Sequence, residues 1–336
     1  MPEGVRRLLA RRLSLLGPET RRVLLYAATI GKSFVSDLLV LSVGGEEEAL
    51  LDHLEKAEQI GLLDSVLESR EARFYFSHEL VPQVILEEAS AAREQRFHLK
   101  VADAIEKLYA GALDDHAIEL AHHLMRAGNL ADADRSIRYL MMAAQRELAQ
   151  SACASAVRHT SHALELFSSQ PESKRSPQQE LWLQLLHGNA VAAVKGWAAP
   201  EAGLAFERSQ ELCAAMGDAP QLFQILAALC GFHVVRAEFH SALSLARRVA
   251  QMADRLDDDP LRIGGDWLQG CSLFFLGNLV EAREELERSV ALRSKRGGVN
   301  QAPLMVAEDP ATATYSALAG WCLGKADLER PTAEGD

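Results

Sequence analysis

Aromatic side chains are scarce in this 336-residue chain, at 6% of the total. That argues against a β-sandwich, whose strands favour aromatic and β-branched residues. There is no CxxC: Cys153, Cys213, Cys230, Cys271 and Cys322 are far apart in sequence. They read as small apolar side chains of a reducing compartment, not as a disulfide framework. No apolar run reaches the ~18 residues that a membrane span needs. The start, MPEGVRRLLARRLSLLG, has arginines on every turn where a secretory signal has a continuous apolar stretch. Bases are outnumbered 35 to 47, for a net charge of −12. That balance argues against nucleic acid as a partner unless base is concentrated locally. The expectation is a cytoplasmic protein with no membrane partner.

Alanine is abundant, with 52 residues. It is the best helix former and lets helices pack closely. With 48% apolar and 24% charged residues, the chain can bury a core and is not globally disordered. The predicted fold class is mainly α: an N-terminal winged-helix-like domain with a small β-hairpin, then a tetratricopeptide-like α-α superhelix. Residues 1–17 form a linker helix, with Leu8, Leu9, Leu13 and Leu16 on one face and Arg6, Arg7, Arg11 and Arg12 largely on the other. The winged-helix-like domain and its following helices take 18–110. Pro18 opens a helix that Gly31 stops. A short helix follows Ser36, which can cap it, and a third runs from after Gly45 to Gln59, ended by Gly61. Leu62–Leu67 and Arg73–Phe76 flank a polar loop and predict a hairpin. Helices at about 78–90 and 93–109 close the region.

Residues 115–330 carry no strand signal and repeat with a period of about 40. Ala202, Ala242 and Ala282 are 40 apart; twelve residues earlier sit the small Ala190, Cys230 and Gly270. Phe206, Ala246 and Leu286 follow four residues later, and Leu212, Met252 and Leu292 ten later. Small residues let the two helices of a hairpin approach, and large ones fill the gap to the next hairpin. Turn signals recur at AGNLADA (127–133) and LGNLVEA (276–282), and a last half-repeat runs from Thr312 to LGKADLE (323–329). The pattern resembles the tetratricopeptide repeat, with a longer period and without its usual Trp and Pro positions.

Few residues carry chemistry. Gly31-Lys32-Ser33 is the tail of a P-loop motif, but the glycine required five residues earlier is Tyr26. The would-be DNA-recognition helix bears Glu46, Glu47, Glu48, Asp52, Glu55 and Glu58 against Lys56, and phosphates would repel it. His116, Glu119 and His123 share a helical face, with His122 adjacent. That spacing suits a metal, yet no fourth ligand can be named, so no metal ligand is assigned. His159 and His162 give a weaker version of the same signal. No catalytic residue is assigned.

The segments PEGVRRLLARRLSLL, RRVLLYAATIGKSF, FYFSHELVPQVILEE, AAREQRFHLKVADAIEKLY and AIELAHHLMRAGNLADA occur in this order. Together they resemble the multidomain STAND-type signalling ATPases, in which a P-loop ATPase domain precedes a winged helix and a tetratricopeptide-like superhelix. Large LuxR-family regulators and the ATPase partners of class III adenylate cyclases belong to this family. AEDPATATYSALAGWCLG (307–324) looks closer to the cyclase-associated branch.

The resemblance implies a non-catalytic regulatory half, without Walker A or Walker B. It also implies an ATPase domain as partner, in cis or in trans, through which alone ATP or ADP and Mg would be engaged. Phe76-Ser77-His78-Glu79-Leu80 is similar to the winged-helix His-Asp motif of these switches, with Glu in place of Asp. It implies that His78 senses nucleotide. The superhelix would bind a protein or effector, on helices near 181–195, 221–235 and 263–276. The alternatives are a stand-alone repeat scaffold or adaptor, a DNA-binding transcriptional regulator, and part of an ATP-dependent adenylate cyclase system.

Overall fold

The computed structural model describes residues 3–68, 71–216, 222–295 and 309–324. They divide into two units, residues 3–150 with 165–170, and residues 151–164 with those from 171 onward.

The first unit begins with α1 (Glu3–Ser14) and α2 (Pro18–Ile30). Leu9, Leu13 and Leu16 are buried, but Leu8 is 52% exposed. The i, i+4, i+7 stripe runs through Leu9, and Leu8 lies about 100° off it. Proline sits at the N-terminus of α2, where its missing N–H costs nothing. Gly31, at φ +151°, ends the helix and donates its N–H to the Ala27 carbonyl.

The chain then enters β1 (Ser33–Val35), α3 (Ser36–Val43), α4 (Glu47–Gln59), and the hairpin of β2 (Leu63–Glu68) and β3 (Glu71–Phe76). β1 is an addition to the expected elements: it pairs antiparallel with β3, giving a three-stranded sheet in the order β1-β3-β2. Val35, not Ser36, holds the N-cap position of α3, and no side chain caps it. The succession from α2 to β3 is a helix, a short strand, two helices and a hairpin.

The predicted helix at 78–90 is a shorter α5 (Val81–Leu86), followed by α6 (Ala91–Leu108), α7 (Ala117–Ala127) and α8 (Ala133–Ala149). Leu13, Leu24, Phe34, Leu54, Ile85, Val101, Ile105, Leu120 and Tyr139 share one core. The division expected at 110–115 therefore falls inside this unit, because the apolar faces of α6, α7 and α8 are buried with the winged-helix-like elements. α9 (Cys153–Ser169) follows.

The second unit contains hairpins α10 (Pro177–Lys195) with α11 (Pro200–Met216), α12 (Leu222–Val235) with α13 (Phe239–Leu256), and α14 (Asp259–Phe275) with α15 (Leu279–Lys295). α16 (Asp309–Cys322) packs on α15 and α14. The last half-repeat is described to Gly324; Lys325 to Glu329 lie outside the described residues.

The 40-residue pattern has a direct physical meaning. Ala202, Ala242 and Ala282 are fully buried, as are Phe206, Ala246 and Leu286. The Cys230 thiol donates to the Ala242 carbonyl at 3.4 Å. A Cβ at Gly270 would lie 3.1 Å from the equivalent Ala282 carbonyl and 2.5 Å from Leu286 Cγ. The small position thus rests on the backbone of the facing helix in two successive hairpins. Leu212 and Met252 are buried and Leu292 half-buried.

The turns repeat as well. Gly196 (φ +90°), Ala237 (φ +60°) and Gly277 (φ +82°) hold left-handed backbone near one position of each hairpin. An L-residue there costs of order 1–2 kcal/mol, so Ala237 is the strained member of the series.

Asp266, on α14, is buried, and Arg288 Nε lies 3.1 Å from its Oδ2. Loss of water pushes the carboxyl up to about 6 despite the opposing pull of Arg288. The folded carboxyl therefore keeps its proton to higher pH than the unfolded one, whose pKa is about 3.9. Stability of this unit falls as pH rises through that window, and the cost persists above it. Asp266→Asn is expected to flatten the dependence and to raise stability by about 2 kcal/mol at about pH 8, with no gain near pH 4. Urea titrations at both pH values, followed by tryptophan fluorescence, check this. All four tryptophans, Trp182, Trp197, Trp267 and Trp321, belong to this unit.

Candidate functional site

The end of the hairpin positions His78. Ser77 is tied back to the α4–β2 turn by its N–H to the Leu62 carbonyl and its hydroxyl to the Gly61 carbonyl at 2.9 Å. His78 is exposed; its carbonyl accepts from Val81 N–H, and its Nδ1 accepts from Leu80 N–H at 3.1 Å. The ring therefore closes the turn that leads into α5, whose N-cap is Leu80. In its neutral form the proton sits on Nε2, a donor suited to an anionic oxygen. Glu79 beside it is also exposed.

Two sequence motifs take definite form. Gly31-Lys32-Ser33 leads from a helix stop into β1, and the Lys32 carbonyl accepts from Phe76 N–H, so this backbone is engaged in the sheet. On α4, Leu50, Leu54 and Ala57 face inward while Glu47, Glu48, Asp52 and Glu55 are exposed. The outer face is acidic and repels phosphate.

A cluster of imidazoles joins α6 to α7. Glu94 and His98 are i, i+4 on α6; His122 and His123 are consecutive on α7. His98 and His123 are buried and His122 is exposed. The Nδ1 atoms of His98 and His123 are 2.8 Å apart, and one nitrogen from each of the three rings lies within 4.8 Å of the others. Burial pushes His98 down to about 4, helped by the neighbouring His122 and Arg126. Burial, with His98 and His122 alongside, pushes His123 down to about 3. Both rings are neutral near pH 7 and carry a lone pair.

This is not the set suggested by helical spacing. His116 stacks on Tyr109 at 3.7 Å between centroids and lies 3.2 Å from Glu119, so that pair does not converge with His123. His98 was missed because it is on another helix; the only local trace was the Glu94–His98 spacing. His159 and His162, on α9, do not join the cluster.

In the second unit, the first helices of successive hairpins are neighbours: α12 touches α14, and α14 touches α16. Large apolar side chains are exposed at their C-terminal ends, namely Val194, Val235, Phe275 and, at 71%, Trp321. Phe275 stacks on Phe239 with centroids 5.1 Å apart. Among the described residues, no helix is long and apolar enough to cross a membrane.

No protein-family profile matches the chain, and no curated protein matches it by sequence. Among the solved structures similar in fold are two of helical-repeat proteins. One is a Signal Transduction ATPase with Numerous Domains from Pyrococcus horikoshii that carries a tetratricopeptide repeat sensor, with 12% identity and a TM-score of 0.47. The similarity covers 91% of this chain and 54% of that one, so this chain spans about half of its length. The other is the apo form of RapI, with 12% identity, a TM-score of 0.41, and coverage of 87% of this chain and 77% of that one.

Proposed function

We propose that this chain is the non-catalytic regulatory module of a STAND-type ATPase. The winged-helix-like elements control a P-loop ATPase domain, in cis or in trans, and the helical repeats bind a protein or effector. Such binding shifts the closed–open balance by its differential affinity for the two states. The observation that carries this reading is the placement of His78, held by Leu80 N–H at the end of a winged-helix-like hairpin within FSHEL. The exposed apolar residues at the ends of α10, α12, α14 and α16 support a protein partner for the repeats. ATP or ADP and Mg enter through the ATPase domain.

Calorimetry on the isolated chain is expected to detect no ATP binding; binding would overturn the reading. In a reconstituted pair with a P-loop ATPase domain of this class, His78→Ala is expected to release ADP roughly 10–100-fold faster, the worth of one hydrogen bond to a charged oxygen. Unchanged retention would remove the sensor role. A chain that binds no such domain, yet binds a protein through its repeats, would favour the second reading, a stand-alone repeat scaffold.

A further inference from the structure

We propose that His98, His122 and His123 form a binding site for a divalent transition-metal ion of the zinc class, clasping α6 to α7. Imidazole nitrogen is a favoured ligand of such ions, and three protein ligands leave a fourth position for water. Here three rings from two helices place one nitrogen each within 4.8 Å of the others. Ligands of a tetrahedral zinc at about 2.0–2.1 Å are about 3.3–3.4 Å apart. Side-chain adjustment of a few tenths of an ångström opens the 2.8 Å His98–His123 contact to that spacing, and the solvent-facing His122 closes the third edge.

Two further observations point to a cation. The facing Nδ1 atoms of His98 and His123 tolerate 2.8 Å only with a proton or a metal ion between them. His123 Nε2, on the far side of the ring from this contact, is buried without a hydrogen-bond partner among the described residues whether a proton or an ion lies between the Nδ1 atoms. Behind the contact, Glu94 Oε1 lies 3.8 Å from His98 Nε2. A carboxylate there favours the tautomer with its proton on Nε2, which turns the Nδ1 lone pair toward His123. Carboxylate–histidine hydrogen bonds orient zinc ligands, and closing this 3.8 Å gap would make one. Glu94 is itself fixed by an ion pair with Arg126. The exposed ring of His122 gives the ion a path from solvent.

The test uses the full chain, stripped with a chelator and titrated with zinc chloride by calorimetry. About one equivalent is expected to bind, and His122→Ala is expected to weaken binding at least tenfold. Because His122 is exposed, that variant should keep the circular dichroism and metal-free unfolding midpoint of the wild type. His98→Gln, a buried replacement that retains a polar end, is the second variant and should also lose affinity. Titration with Co²⁺ adds a spectroscopic readout, visible bands of an imidazole-bound ion that disappear in His122→Ala. Absence of zinc binding at about 100 μM, or equal affinity in the wild type and both variants, overturns the proposal: a shared proton, or histidines elsewhere, would then account for the data.

Discussion

Replacing Phe206 by alanine is expected to remove about 3–5 kcal/mol of stability from the helical repeats. Phe206 is fully buried, and its ring lies where the side chain of Gly188 would otherwise be: a Cβ built on Gly188 would meet ring atoms at 2.5–3.0 Å. Trp197 also stacks on it, with centroids 6.0 Å apart. Truncation leaves a void bounded by a glycine, which has no side chain to relax into it. The loss should therefore fall in the upper part of that range, since cavity cost depends on how far the surroundings collapse. Urea denaturation followed by tryptophan fluorescence measures it. Gly188→Val is the converse change and should cost about 1–3 kcal/mol by overpacking. Combined, the two substitutions should cost less than their sum, because they share one space. A Phe206→Ala loss below about 1 kcal/mol would mean that this contact does not hold α10 to α11.

Phe34→Ala is expected to cost a similar 3–5 kcal/mol in the first unit. Phe34 is 2% exposed, stacked on Phe74 at 5.6 Å and tilted against Phe76 at 6.0 Å. β1 has three residues, so its backbone offers few hydrogen bonds, and the aromatic side chain anchors it to β3. Hydrogen exchange of the Arg73–Phe76 amides should accelerate in the variant, first at Phe76, whose N–H donates to the Lys32 carbonyl. Retained protection there would show that backbone pairing holds the strand without its side chain.

The same strand marks where sequence reasoning stopped. Helices bounded by Pro18 and Gly31, or repeated every 40 residues, were legible because local chemistry and long periodicity agree with the packing. β1 was not, since three residues are too few for alternation to show and its pairing partner lies some 40 residues away. α5 was overextended for a related reason. The sequence reads as helical from about 78, but the His78 Nδ1 accepts from Leu80 N–H in a turn and the helix starts at Val81. The site shows the same contrast. His78 stands out in the sequence because it adjoins a local motif, and its sensing role is the proposal made above. The partnership of His98 with His123 spans two helices, and nothing in either segment reports the other. Only Leu8 failed within an otherwise clear pattern, where one residue of phase separates an exposed leucine from three buried ones.

The small positions of the repeats have a kinetic consequence. All five cysteines lie in the second unit, with Cys322 exposed, Cys153 half-buried, and Cys213, Cys230 and Cys271 buried. Burial pushes the Cys230 and Cys271 thiols up to about 12, so they hold almost no thiolate while the hairpins are closed. An alkylating reagent then meets Cys322 at once and the inner thiols only during a local opening. Cys230 reports the parting of α12 from α13, and Cys271 does the same for α14. Cys230, at a position that lets neighbouring helices approach, and Cys271, beside the equivalent Gly270, thereby serve as built-in clocks for how often each pair comes apart.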